Sequence, residues 1–260
     1  MIQLTANLSP GLISLIQSET VRLDAVEVGP WFSAGQIQKY RQQLPGWKFY
    51  FHHSSLISRL RWVPGTATSL QAYLQYTQTP WISFHYSLLP PGYVWLGTRF
   101  GVYLPAPNLD RLNQWFVNEV KKLACHNLPL LIENMPTLAT KKYVFDTTAE
   151  NITEVLTATG AGLLLDLAHA RVVASVFNLD VSSYIASLPL EKVRQIHLSG
   201  PRTKNGYLYD AHEDLTEIDY ELLKWVLTQS KPEVVTLEYV KDREKLREQL
   251  VYIKEIIVAT

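Results

Sequence analysis

The sequence contains a single cysteine, Cys125, among its 260 residues. An internal disulfide is therefore excluded, and we expect a cytoplasmic location because structural disulfides are typical of oxidising compartments. Acidic and basic residues are equal in number, at 24 each, so the composition gives no support to a broad nucleic-acid-binding surface. No uninterrupted apolar run reaches about 18 residues, so we expect no membrane-spanning helix.

Short apolar segments are nevertheless frequent, and longer amphipathic stretches separate them. Most of these segments are apolar at consecutive positions, which is typical of parallel strands that are covered on both faces. Eight segments are predicted as strands: Met1–Ala6, Leu23–Val28, Trp47–His52, Trp81–His85, Pro129–Glu133, Gly162–Asp166, Arg194–His197 and Val234–Glu238.

Apolar residues at spacings of three and four predict helices between these strands. The predicted helices are Pro10–Glu19, Leu109–Leu123, Thr148–Thr157, Tyr220–Gln229 and Asp242–Val258. Strands that alternate with helices in a chain of this length predict a single (β/α)8 barrel domain over residues 1–260. An open doubly wound sheet is the alternative, but no glycine-rich phosphate-binding motif follows the first predicted strand.

Ionisable side chains lie at the C-terminal ends of seven predicted strands, where barrels of this class carry their active sites. In chain order these residues are Glu27, His52 with His53, His85, Glu133 with Asn134, Asp166, His197 and Glu238. A lone residue of this kind is most often a hydrogen-bonded structural residue or a helix cap. Burial of so many ionisable groups together without a counter-charge is costly, and a metal cation would remove that cost.

The number of candidate ligands exceeds what one cation needs. Asp210 and His212, separated by one residue in the loop after the seventh predicted strand, would point the same way in an extended segment. The candidate ligands are His52, His85, Glu133, Asp166, His169, His197, Asp210, His212 and Glu238. We expect two or three metal ions that share bridging carboxylates. Imidazole and carboxylate ligands without thiolate suit iron, manganese or zinc.

Several motifs resemble those of a known family. The segments LLIENMP, TGAGLLLDLAHA, LPLEKVRQIHLSG, YDAHEDL and VVTLE, and more loosely EVGPWF, FYFHHSS, ISFHYS and LPAP, occur in the family's order. The chain resembles the multinuclear non-heme iron-dependent oxidative enzymes, which have a xylose-isomerase-like barrel. The resemblance covers nearly the whole chain and is strongest from Pro129 onward.

The resemblance implies an assignment of ligands. His52, His85 and Glu133 resemble the ligands of one iron, while Asp166, His197 and Glu238 resemble those of its neighbour, with Glu133 as the bridge. Asp210 and His212 resemble ligands of a further metal position, near Asn134 and His169. Glu133, Asp166 and Glu238 are the expected catalytic carboxylates. Glu27, His53 and Asn134 are expected to support the ligands or to replace one, and His52 is preferred to His53.

The resemblance also implies a substrate. Characterised members use molecular oxygen to modify cysteine residues of ribosomally made precursor peptides, often with a partner protein that presents the peptide. The sequence differs from the family pattern at two places, and these differences bear on the substrate. Phe84 stands where many members have glutamate, and Ala168 and His169 stand where many members have two asparagines.

Two alternatives remain on the same barrel. One is a redox-neutral, metal-dependent sugar isomerase or phosphodiesterase, and the other is a non-catalytic relative that binds metal or a partner. The sequence offers no lysine at a strand end for an isomerase. Aromatic residues near strand ends, among them Trp31, Tyr93 and Trp95, suit a peptide groove or ordinary barrel packing. The oligomeric state is left open.

Overall fold

The structure, a computed structural model, describes residues 1–53, 66–88, 96, 100–102, 108–136 and 145–260. Tyr93, Trp95 and the LPAP motif lie outside these residues. Within them, eight strands form a closed parallel barrel. In chain order the barrel strands are β1 (Gln3–Asn7), β2 (Ala25–Val28), β3 (Lys48–His53), β4 (Ile82–His85), β5 (Leu130–Glu133), β6 (Gly162–Asp166), β7 (Val193–Leu198) and β10 (Val234–Leu237).

An antiparallel pair of strands interrupts this pattern between β7 and β10. The hairpin consists of β8 (Gly200–Lys204) and β9 (Tyr207–Glu213). Its tip has Asn205 and Gly206 at positive φ, as tight two-residue hairpin turns require. The segment after the seventh strand was predicted as a loop, so this prediction was wrong. The side chains of Asp210 and His212 on β9 nevertheless lie together, with 2.8 Å between Oδ2 of Asp210 and Nε2 of His212.

Helices form the outer layer of the barrel. Those described are α1 (Pro10–Gln17), α2 (Ala34–Gln43), α3 (Thr66–Thr77), α4 (Leu109–Lys122), α5 (Ala149–Thr159), α6 (Leu167–Phe177), α7 (Val181–Ser187), α8 (Glu217–Gln229) and α9 (Arg243–Ala259). Local signals start several of them: Ser9 accepts a hydrogen bond from the Leu12 amide at the start of α1, and Ser33 forms a capping box with Gln36 in α2. None of the described helices combines the length and apolar character needed to cross a membrane.

The main core lies between the barrel wall and the helices. It includes Phe51, Ile82, Phe116 and Leu165, all essentially inaccessible to solvent. A smaller cluster fills the barrel near the N-terminal ends of the strands: Ala25, Tyr50, Trp81, Leu131, Leu164 and Val234. The expected (β/α)8 architecture is therefore confirmed, and the open doubly wound alternative is wrong because β1 pairs with both β2 and β10.

Candidate metal centre

The strand alternation decides which side chains enter the barrel. On β3, His52 faces the interior, where its Nε2 atom lies 3.2 Å from Oε2 of Glu133. His53 lies on the same face as Phe51, with the two rings 6.0 Å apart, and Phe51 stacks on Tyr73 of the outer layer. The structure thus brings His52, and not His53, into contact with Glu133.

Glu133 lies at the centre of the candidate ligands. Its Oε2 atom is 3.0 Å from Nε2 of His85 as well as close to His52. Its Oε1 atom is 3.5 Å from Nδ1 of His169 and 3.6 Å from Nδ1 of His197. Burial opposes the charge of this carboxylate, but His85 and His52 hold its pKa well below the usual range. Each oxygen of one buried carboxylate therefore faces a different pair of imidazoles.

Three groups of side chains in the described part of the chain are close enough to hold a cation. Within each group the ligand atoms lie within 4.8 Å of one another. The groups are His52 with His85 and Glu133, Glu133 with Asp166 and His169, and Glu27 with His197 and Glu238. Glu133 belongs to two of the groups, which is the geometry that a bridging carboxylate requires.

Unpaired buried atoms test whether cations fit this arrangement. Imidazole nitrogens and carboxylate oxygens lie near these atoms, but none makes a hydrogen bond of acceptable geometry, although all four residues are buried: Oε2 of Glu133, Oδ2 of Asp166, Oε1 of Glu27 and Nδ1 of His197. Each unpaired buried polar atom costs about 1–3 kcal/mol. The donor set of imidazole nitrogens and carboxylate oxygens is the one that iron, manganese and zinc accept, so the residues fit bound metal ions.

Asp166 shows why β6 ends on a carboxylate. Its Oδ1 atom accepts a hydrogen bond of 2.7 Å from the His169 amide and caps α6, which starts without a loop. The other oxygen, Oδ2, is left facing the cluster, 3.8 Å from Nε2 of His169. Burial raises the pKa of Asp166 to about 6. One carboxylate therefore serves both the helix start and the candidate metal centre.

Asn134 supports the same strand end. Its side chain donates to the backbone oxygen of Asp166 at 3.0 Å and accepts from the Asp166 amide at 2.8 Å. Its backbone oxygen lies 2.8 Å from Nδ1 of His169. If that nitrogen carries the proton, the lone pair on Nε2 of His169 is available to a cation that Asp210 could share, since Oδ2 of Asp210 is 3.5 Å away. Asn134 thus positions Asp166 and His169.

The hairpin brings the D-x-H pair to the cluster. Nε2 of His212 lies 2.8 Å from Oδ2 of Asp210, and Ser199 donates to Oδ1 of Asp210 at 2.9 Å. His212 has a φ of 46°, a left-handed conformation that is uncommon for residues other than glycine. The hydrogen bond to Asp210 raises the pKa of His212 to about 9. Asp210 lies between His169 and His212, but neither Asp210 nor His212 belongs to the three groups described above, so the third metal position stays a prediction.

His197 is held from the side opposite to the cluster. Its Nε2 atom lies 3.2 Å from both oxygens of Glu27, while Nδ1 lies 3.3 Å from Oε1 of Glu238. Gln195 donates to Glu27 at 2.5 Å and to Thr236 at 2.9 Å. A ligand histidine that donates its second N–H to a carboxylate is fixed in tautomer and orientation. Glu27 is within reach of His197 for this role, although it also belongs to one of the three groups that could hold a cation.

Some of these supporting residues were not found from the sequence. Gln195 lies two positions before His197, and Ser83, whose hydroxyl is 3.0 Å from Nδ1 of His52, lies two positions before His85. Residues two apart on a strand share a face. Reading that alternation backwards from each strand end would have identified both residues.

Seven of the nine candidate ligands, all but Asp166 and His197, line a cavity of about 560 Å³ at the C-terminal mouth of the barrel. His52, His85, Glu133, His169 and Glu238 lie on its wall. Glu238 accepts a hydrogen bond of 3.2 Å from Asn7, and burial raises the pKa of Glu238 to about 7. The strand boundaries differ slightly from those predicted, since β7 extends one residue past His197 and Glu238 follows β10.

Solved structures with low sequence identity share this fold. A D-tagatose 3-epimerase-like protein is 15% identical, with a TM-score of 0.65 over 99% of this chain and 98% of that chain. A xylose isomerase-like TIM barrel protein from Mycobacterium smegmatis, in complex with magnesium, is 14% identical, with a TM-score of 0.64 over 99% of this chain and 96% of that chain. These likenesses show a xylose-isomerase-like barrel.

Relatives found by sequence match a shorter part of this chain than the solved structures do. The UPF0276 protein of Bordetella pertussis is 32% identical over 120 residues, which is 44% of this chain and 42% of the relative. The UPF0276 protein of Caulobacter vibrioides is 32% identical over 115 residues, 40% of each chain. The matched segment thus spans less than half the length of these curated relatives.

The family comparison covers far more of the chain. Residues 31–257 match the family described as "RiPP precursor modification enzyme MbnB/TglH/ChrH". The matched region contains all nine expected ligands, from His52 to Glu238. Because this match extends over most of the sequence, the protein belongs to the MbnB/TglH/ChrH family of RiPP precursor modification enzymes.

Proposed function

We propose that the protein is a multinuclear iron enzyme that uses molecular oxygen to modify a cysteine-containing peptide or another thiol. The position of Glu133 carries the proposal, because its two oxygens face two different pairs of histidines at 3.0–3.6 Å. A single ion needs only three or four protein ligands. Nine candidate ligands around one shared carboxylate support two or three ions.

The proposed metal is iron, with manganese and zinc as the competing ions. Iron bound here would supply a site for a substrate thiolate and for activation of oxygen. His52, His85 and His197 would hold it through neutral imidazole nitrogens. The proposed catalytic carboxylates, Glu133, Asp166 and Glu238, would add anionic oxygens that stabilise the higher oxidation state.

The peptide substrate is proposed from the family description, which names precursor modification. The protein's own thiol is a poor candidate, since Cys125 lies in the 3-10 helix Leu123–His126 that leads into the N-terminal end of β5. That end is the opposite mouth of the barrel from the cluster. We therefore propose that the substrate is a separate peptide, which a partner protein presents. The assignment of residues 1–260 to one domain is also part of the proposal.

The isomerase and phosphodiesterase alternatives find less support in the cavity. No lysine or arginine occurs among the described residues that line it. A phosphodiester substrate is usually held by cationic side chains. The histidines that an isomerase could use as a base here are themselves candidate metal ligands. The structural likeness to epimerases is at 15% identity or less and concerns the fold alone.

Metal content is the test. Protein isolated with iron and without oxygen would be examined by elemental analysis and by Mössbauer spectroscopy on the same sample. We expect two or three irons per chain, at least two of them magnetically coupled. One zinc or magnesium per chain with no iron retained would contradict the proposal and direct attention to hydrolytic or isomerase substrates.

A further inference from the structure

The cavity at the barrel mouth has two unlike sides. The candidate ligands form one side. The other side is apolar and comes from the segments that follow β1, β2 and β10. It consists of Leu8, Pro10, Trp31, Phe32 and Val240. No lysine or arginine lines the described part of this cavity, so an anionic group on a bound molecule would find only imidazoles and metal ions as partners here.

Trp31 is the largest side chain of the apolar side and is half exposed, at 49%. Its ring nevertheless lies directly on the backbone of Gly29. A Cβ atom at position 29 would come within 2.0 Å of Cζ3 of the Trp31 ring. Only glycine therefore permits the ring to take this position.

The neighbouring residue anchors the loop. Phe32 packs edge-on against Tyr40, with ring centroids 5.2 Å apart, and its backbone oxygen accepts a hydrogen bond of 2.9 Å from the Tyr73 hydroxyl. Tyr40 belongs to α2 and Tyr73 to α3. Two helices of the outer layer thus fix the loop that carries Trp31.

A tryptophan ring that is exposed but already fixed binds an apolar group with little further loss of conformational entropy. Rigid aromatic anchors of this kind dominate the energetics of many binding surfaces. We propose that Trp31 selects substrates in which an uncharged, apolar side chain lies next to the metal-binding thiol. This inference rests on the proposed function and specifies its substrate class further.

Simple thiols can test the selection without the natural peptide. Iron-loaded full-length protein would be titrated without oxygen with phenylmethanethiol, 2-mercaptoethanol and mercaptosuccinate. Calorimetry gives each affinity, and thiolate-to-iron charge-transfer absorption reports binding to the metal. We expect phenylmethanethiol to bind at least about tenfold more tightly than 2-mercaptoethanol, since burial of one aromatic ring is enough for that factor, and mercaptosuccinate to gain no such advantage.

Two variants assign the effect to the aromatic side of the cavity. Trp31→Ala removes the ring, and Gly29→Ala displaces it while leaving the tryptophan in the chain. Both should reduce the preference for phenylmethanethiol to about threefold or less, whereas Leu179→Ala, at an exposed residue outside the cavity, should retain it. A preference that persists in both cavity variants would overturn the inference.

The outcomes also separate this inference from the proposed function. Charge-transfer absorption with both neutral thiols at equal affinity would support metal–thiolate chemistry and overturn the selection by Trp31. No absorption change with any thiol would overturn the proposed function, and the inference with it.

Discussion

The contact between Glu27 and His197 makes a quantitative prediction about metal affinity. Both oxygens of Glu27 lie 3.2 Å from Nε2 of His197, and both residues are inaccessible to solvent. A glutamine at position 27 would replace one of these oxygens by a donor. In either orientation of the new side-chain amide, its NH2 group would face an N–H donor, because both His197 and Gln195 lie against the same carboxylate. The orientation of His197 should loosen.

Loss of such a supporting carboxylate usually lowers metal affinity about 10- to 100-fold. That range corresponds to about 1.4–2.7 kcal/mol of binding free energy. We therefore expect Glu27→Gln to keep the full number of ions per chain while the dissociation constant of one ion rises by this factor.

The assay is a titration of the metal-free protein with Fe²⁺ in competition with a chromophoric chelator, without oxygen. Glu233→Gln is the matched control, since Glu233 is half exposed and pairs with Arg194 away from the cluster. An affinity within about threefold of the unmodified protein, below the range expected for such a carboxylate, would refute the role of Glu27 in orienting His197. Loss of a whole ion from the Glu27→Gln variant would also refute this role, because it would show that Glu27 binds the metal directly.

The remaining predictions concern metal content and stability. Glu133→Gln should remove at least one ion per chain by elemental analysis and His126→Ala none; equal losses would contradict a bridging role. Burial raises the pKa of Asp146 from 3.8 to about 6, so the native state binds this proton more tightly and stability falls as the pH rises between these values. Asp146→Asn should therefore raise the free energy of unfolding at pH 7, by up to about 3 kcal/mol, and have little effect at pH 4; equal urea midpoints for both proteins at pH 7 would contradict this. Gly200→Ala would place a Cβ 2.1 Å from a backbone oxygen and should cost at least about 2 kcal/mol, whereas Gly35→Ala, with no atom within 4 Å, should be neutral or slightly stabilising in thermal unfolding.

The barrel was predictable because its strands are buried on both faces. Gly162–Asp166 has the predicted bounds, and the other strands differ from prediction by a few residues at their ends. Continuous apolar runs mark such strands even without alternation. The position of the candidate ligands followed from the same fact, since the C-terminal ends of parallel strands meet at one mouth.

Other features were not visible in the sequence pattern. The helix Ala34–Gln43 buries only Ile37, so it lacks the apolar stripe that reveals an amphipathic helix. The helix Leu167–Phe177 follows β6 directly and is apolar around most of its surface. The sequence pattern therefore does not show where the strand ends and the helix begins. The choice between His52 and His53 depends on which face of β3 turns inward, and that is set by pairing with neighbouring strands.

The double use of Asp166 has a consequence for how this chain can change over generations. The cap on α6 needs only a short side-chain acceptor, which asparagine, serine or threonine also provides. The second oxygen faces the cluster, where an anionic carboxylate oxygen would bind a cation more strongly than an amide oxygen. Selection for folding alone would keep a capping residue at position 166 and tolerate asparagine. A single amide replacement is thus a short path by which a descendant could keep the barrel and lose its chemistry.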